Sequence, residues 1–203
     1  MNPYQLNIDK ARCSYEQQQV FKVTGLYALP FHGNRFVSGW QISTVLTANS
    51  GLPFNIVDGY DESTGISSGP LNLDRPNYVA GCQVQTGRVT EWFNPQCFNI
   101  SAPGTLGDLG SDAGTGPGYL DLDLAILKDT KLTERTRLQF RAEFFNIINR
   151  TNYSIPNASL YVAGGTTTGG NLATYTGLNG LAGQITNQAG APRQIQFAMK
   201  LIF

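Results

Sequence analysis

Residues 193–203 read RQIQFAMKLIF, and the pattern within them decides the fold. Ile195, Phe197, Met199, Leu201 and Phe203 take the odd positions, and Gln194, Gln196, Ala198, Lys200 and Ile202 the even ones. Successive side chains of an extended chain point to opposite faces, so this is a strand with one apolar face and one mostly polar face. A strand that crosses a bilayer needs about 9–11 residues, apolar toward lipid and polar toward a lumen. The segment meets that length. Strands of a soluble sandwich alternate in the same way, but they are usually about 5–6 residues long and rarely end a chain on an aromatic.

The same alternation occurs four times upstream. Over 20–29, Phe21, Val23, Gly25, Tyr27 and Leu29 oppose Lys22, Thr24, Leu26 and Ala28; over 36–48, Trp40, Ile42, Thr44, Leu46 and Ala48 oppose Gln41, Ser43, Val45 and Thr47. Between them PFHGNR at 30–35 supplies Pro, Gly and Asn as breakers, which predicts a hairpin. Over 119–128, Leu120, Leu122, Leu124 and Ile126 oppose Asp121, Asp123 and Ala125; over 137–148, Leu138, Phe140, Ala142 and Phe144 oppose Arg137, Gln139, Arg141 and Glu143. A charged connection of modest length joins these two.

Segments 49–117 and 149–192 differ in kind, being rich in Gly and polar residues without a sustained period. Connections in compact soluble domains run typically about 4–6 residues, so excursions this long weigh against a soluble fold. The order of connections is short, long, short, long, as in outer-membrane barrels with short turns on one side and long loops on the other. The expected fold class is therefore all-β, an antiparallel up-and-down transmembrane β-barrel segment of five strands with two long outer loops. Ile195, Phe197, Met199, Leu201, Leu138, Phe140, Leu120 and Leu122 are expected to face lipid. Asp121, Asp123, Arg137, Arg141, Glu143 and Lys200 are expected to face the lumen.

Composition narrows the function. The chain has 203 residues, with 14 basic and 14 acidic side chains, so it carries no electrostatic footprint for nucleic acid. Glycine, at 23 residues, and abundant small polar residues disfavour long helices. No apolar run approaches the roughly 18 residues of a helical membrane span. Barrels of this kind have at least about 8 strands, and five cannot close, so the chain is expected to be the back end of a longer one. The opening MNPYQLNIDK has no secretory leader pattern, which points the same way or to a cytosolic protein.

The sequence resembles the C-terminal end of TonB-dependent outer-membrane receptors, of the type with a carboxypeptidase-regulatory-like N-terminal domain. The resemblance rests on YALPF at 27–31, GWQIS at 39–43, SGLPF at 50–54, WFNP at 92–95 with Cys97 and Phe98, GPGY at 116–119, LQFRAEFFN at 138–146 and PRQIQF at 192–197, in family order. It implies a barrel of about 22 strands with a plugged lumen, which imports a scarce nutrient with energy delivered through TonB in the outer membrane of a Gram-negative bacterium. The plug and the TonB-gripped segment are not in these residues, so this chain alone is not expected to transport. The implied partners are outer-membrane lipid, the remaining receptor chain and TonB through it, and the barrel-assembly machinery, for which Phe203 stands as the terminal aromatic signal. No cofactor, nucleic acid or enzymatic activity is expected.

Within that resemblance Cys82 and Cys97, fifteen positions apart, are disulfide candidates, because an outer loop passes through an oxidising compartment. A bridge closing a loop of that size contributes about 3 kcal/mol in the chain-entropy model; the alternative is two reduced thiols in a cytosolic protein. Cys13 is left without an assigned partner. Asp121 and Asp123 have a catalytic reading as an acid/base pair, but wet positions favour cross-strand ion pairs with the arginines instead. Trp40, Tyr27, Phe31, Tyr119, Phe144 and Phe203 lie near strand ends, where an interfacial aromatic girdle belongs. Trp92, Tyr60 and Tyr161 are the loop candidates for ligand contact, against the plainer role of packing the loops. The alternative function is a soluble all-β module binding carbohydrate or peptide, and a second sheet packed on the apolar face would favour it.

Overall fold

The computed structural model describes residues 6–59, 74–102, 104–163 and 175–203. No α-helix occurs among them, and no helix is long and apolar enough to cross a membrane. The chain divides into two compact units. One is a sheet, built from Gln18–Ser50, Gly118–Tyr153 and Gln188–Phe203; the other is built from the long excursions together with the N-terminal segment.

The sheet has five antiparallel strands: β1 (Val20–Ala28), β2 (Trp40–Asn49), β3 (Tyr119–Lys131), β4 (Arg137–Phe145) and β5 (Gln194–Ile202). They lie side by side in chain order, and the sheet does not close on itself. Both short turns fall at one end of the sheet. Asn49 opposite Tyr119 and Phe145 opposite Gln194 put the roots of both long excursions at the other end.

The register sorts every strand side chain to a face. Directly opposed residues of an antiparallel ladder share a face. One row runs Tyr27, Ile42, Ile126, Ala142, Phe197; the next runs Gly25, Thr44, Leu124, Phe144, Ile195. Leu120, Leu122, Leu138, Phe140, Met199 and Leu201 fall on that same apolar face. The opposite face carries Asp121, Asp123, Arg137, Gln139, Arg141, Glu143, Gln196 and Lys200. The apolar face stays open: Phe197 is 68% and Met199 69% exposed, and the Phe140 and Phe197 rings stack 6.3 Å apart.

Strand ends differ from the sequence expectation for local reasons. β2 begins at Trp40, not at 36, because the Asn34 side chain accepts the N–H groups of Phe36 and Val37 and its carbonyl accepts those of Val37 and Ser38. This Asx-type turn competes with extension. Gly39 then adopts φ +82 against the Asp129 carbonyl, where a Cβ would sit 2.4 Å away. β3 runs three residues beyond the expected 128, since charged residues at an exposed strand end do not interrupt a ladder; Arg137 still pairs with Lys131. β4 stops at Phe145, short of 148, because Asn146 takes a left-handed φ of 48.

Beyond β4, side chains continue the ladder to β3. The Asn146 N–H donates to the Asp123 carboxylate and the Ile147 N–H to the Leu122 carbonyl. Asn152, buried, accepts the Leu120 N–H through Oδ1 and donates through Nδ2 to the Leu120 carbonyl. Its amide thus takes both bonds that a neighbouring strand residue would supply. Asn146 is buried as well, donating to the Arg150 and Ala191 carbonyls and accepting the Arg150 N–H. The buried side-chain amides of Asn146 and Asn152 are thus both hydrogen-bonded, as burial requires.

Candidate functional surfaces: the polar sheet face and the stapled loop unit

The excursions expected as unpatterned loops form a unit with a core of its own. Phe54, Ile56, Phe93, Cys97, Phe98, Leu109, Leu160, Tyr161 and Ala182 are buried together. Phe93 meets Phe98 edge-on at 5.9 Å and Phe54 at 6.1 Å. Phe54 lies over Gly114, where any Cβ would strike the ring. The ladders are short: Pro53–Phe54 with Gly114–Thr115, Asn77–Tyr78 with Phe98–Asn99, Gln85–Arg88 with Glu91–Phe93, and Tyr161–Ala163 with Tyr175–Leu178.

The two excursions interlock. Val57 donates to the Ala158 carbonyl and accepts from the Leu160 N–H; Trp92 donates to Gly183, and Ile185 to Val89. The N-terminal segment joins them, with Arg12 donating to the Thr115 hydroxyl at 3.0 Å and Asp9 paired with Arg75. Cys82 and Cys97 are joined by a disulfide, with their Cα atoms 5.4 Å apart. Cys97 ends a single turn of 3-10 helix, Pro95–Cys97, in which the Asn94 side chain accepts the Gln96 N–H and the Asn94 carbonyl accepts that of Cys97. Cys13 is free and exposed; its hydrogen bond to Tyr15 raises that phenol above its ordinary pKa.

This packing gives the loop aromatics structural work. The Trp92 indole N–H donates to the Thr115 carbonyl at 2.7 Å, and Trp92 packs against the core. Tyr161, 7% exposed, donates its hydroxyl to the Phe98 carbonyl at 3.1 Å. Tyr60 lies outside the described residues. Both side chains thus take part in packing the loop unit, Trp92 partly exposed and Tyr161 nearly enclosed.

On the polar sheet face the expected carboxylate–arginine pairs across strands do not form. Asp121 lies opposite Thr47 and Asp123 opposite Val45, beyond the end of the β3–β4 ladder. Arg141 faces Leu127 and Ala198, while Arg137 faces Lys131 and Ile202. Arg141 pairs instead along its own strand with Glu143, at 3.3 Å. Partly exposed pairs of this kind contribute about 1 kcal/mol or less. Gln139 donates to Asp129 at 3.0 Å, and Lys200 lies opposite Gln139. Tyr119, expected in an aromatic girdle, is on this polar face.

Sequence inspection missed the buried cation of the apolar face. Lys128 is 8% exposed and lies opposite Trp40 and Phe140. Its Nζ donates to the carbonyls of Arg35 and Ser38 and sits 5.5 Å from the centre of the Trp40 ring. The signal was present, since Lys128 falls at an even, apolar-phase position of β3, where a charge needs a local partner. Among the described residues no group of His, Cys, Asp and Glu side chains is arranged to hold a metal ion.

The model of a family described as outer membrane beta barrel domain matches residues 1–196. No curated protein and no solved structure matches the chain.

Proposed function

The chain belongs to the outer membrane beta barrel domain family and resides in the outer membrane, and on that premise we propose that it is part of a TonB-dependent receptor for nutrient uptake. The observation that carries this reading is the sidedness of the sheet. Both long excursions leave one end and both short turns occupy the other, as in a barrel with outer loops and inner turns. The family motifs of the sequence, in order along the chain, support the receptor type.

In this function the apolar face of the sheet meets lipid and the polar face lines the lumen. Asp121, Asp123, Arg137, Arg141, Glu143 and Lys200 form part of that lumen wall, and both long excursions leave the strands at the end opposite the short turns. The protein performs no catalysis. The rest of the receptor supplies the plug and the coupling to TonB, and the assembly machinery reads the β5 end with Phe203, which is 89% exposed. The soluble binding module is set aside, since the family is one of membrane barrels and the apolar face is open.

The test is uptake in cells carrying the full gene. Deleting the gene is expected to abolish accumulation of one scarce nutrient, and loss of TonB or collapse of the proton-motive force is expected to do the same. Uptake that continues without TonB would make the protein a passive pore and end the receptor assignment.

A further inference from the structure

Lys128 is the one charged side chain on the apolar face of the five strands. A lysine on a lipid face is strongly disfavoured at the bilayer midplane and close to neutral near an interface. This one is at the short-turn end of β3 and is wrapped by the 29–39 connection. The Arg35 and Ser38 carbonyls accept from its Nζ, and the Trp40 indole, on the same face, donates to the Phe36 carbonyl at 3.3 Å. Backbone that reaches the tips of side chains on the apolar face has to lie over that face. The connection is thus folded toward the lipid side, where a turn extending straight off the strands would sit in water.

What the folded connection displays suits that position. Phe36 is 71% exposed, and Phe31 and Val37 are about half exposed. Arg35 lies over the Phe36 ring at 5.4 Å, and 29–39 contains no acidic residue. Aromatic rings and arginine together favour the boundary between acyl chains and headgroups, where the ring is dehydrated and the guanidinium meets phosphate. The other short turn differs. Leu132–Thr136 closes through Leu132 and Thr133 N–H groups donating to the Thr136 carbonyl, and it carries Glu134 and Arg135 in place of aromatics.

We propose that the 29–39 connection is an interfacial anchor for glycerophospholipids of the periplasm-facing leaflet, docked on the barrel wall through Lys128, with Phe31, Phe36 and Val37 at the acyl boundary and Arg35 on lipid phosphate. This rests on the apolar face meeting lipid and is independent of whether transport uses TonB. Short turns of outer-membrane barrels lie on the periplasmic side, which fixes the leaflet. The lysine is the positioning residue, and the exposed rings make the contact.

The experiment places nitroxide labels on the full chain in phosphatidylethanolamine/phosphatidylglycerol bilayers, on a Cys13→Ser background, at Phe36→Cys, Val37→Cys, Glu134→Cys and Phe197→Cys. Power saturation then compares access of oxygen and of a water-soluble nickel complex. Labels at 36 and 37 are expected to show an oxygen-to-nickel ratio several-fold above that at 134, approaching that at 197. Adding Lys128→Met is expected to shift 36 and 37 toward the value at 134 while leaving 197 unchanged. If 36 and 37 match 134 while 197 is lipid-exposed, the anchor is refuted and the barrel stands. If 197 is also water-exposed, both fall.

Discussion

The sheet and the loop unit solve opposite problems with one chain. In the sheet, large apolar side chains such as Phe197 and Met199 remain open, and their stability depends on what solvent they meet. In the loop unit Phe54, Phe93 and Phe98 are enclosed by their own chain, and a disulfide closes the loop that carries Phe93. The lesson is that hydrophobic content alone does not locate a core. Period-two spacing spends apolar residues on an outer surface, whereas scattered aromatics among glycines and prolines close on each other.

The sharpest way to break that contrast is at Phe93. Truncating a buried phenylalanine typically costs about 3–5 kcal/mol, so Phe93→Ala is expected to release amide protection throughout the loop unit in hydrogen exchange while β1 to β5 keep theirs. Loss of protection in both regions would show that they fold as one. Removing the bridge with Cys82→Ser and Cys97→Ser is expected to cost the loop unit about 3 kcal/mol, read as earlier proteolytic cleavage within 51–117. Equal protease resistance with and without reductant would mean the core holds the loop unaided.

The sheet is tested by a paired substitution. Phe197→Arg is expected to destabilise the bilayer-inserted protein by about 2–3 kcal/mol, being central on β5, whereas Gln196→Arg next to it is expected to change little. Urea titrations in lipid vesicles read the difference, and equal costs would mean that the two faces meet the same environment. The smallest effect is at Tyr161. Tyr161→Phe removes its bond to the Phe98 carbonyl and is expected to cost the loop unit about 1 kcal/mol. Unchanged ligand binding in that variant would fit a packing role, and a large loss would restore Tyr161 as a contact residue.

The same contrast explains what the sequence made legible. All five long strands showed in the alternation, because each side chain of a two-sided sheet answers to one environment and the period is short. The division of Ile195, Phe197, Met199 and Leu201 from Gln194, Gln196 and Lys200 followed directly. Ends were less legible, since Asn34, Gly39 and Asn146 act through side-chain caps and left-handed backbone that periodicity does not register. The loop core was hidden for another reason. Phe54, Phe93 and Leu160 are far apart in sequence and come together through bonds such as Val57 to Ala158, which no local pattern encodes. The paired cysteines were visible by residue type, but the missing cross-strand ion pairs depended on a register that charge spacing alone does not set.

The interlocking of the two excursions makes them a single cassette. Hydrogen bonds from Val57, Trp92 and Ile185 tie each to the other, so an insertion or exchange in one is transmitted to its companion. Exchanging these excursions between one such protein and another would require moving both together, and diversification of the pair in nature is expected to proceed by matched changes and not loop by loop.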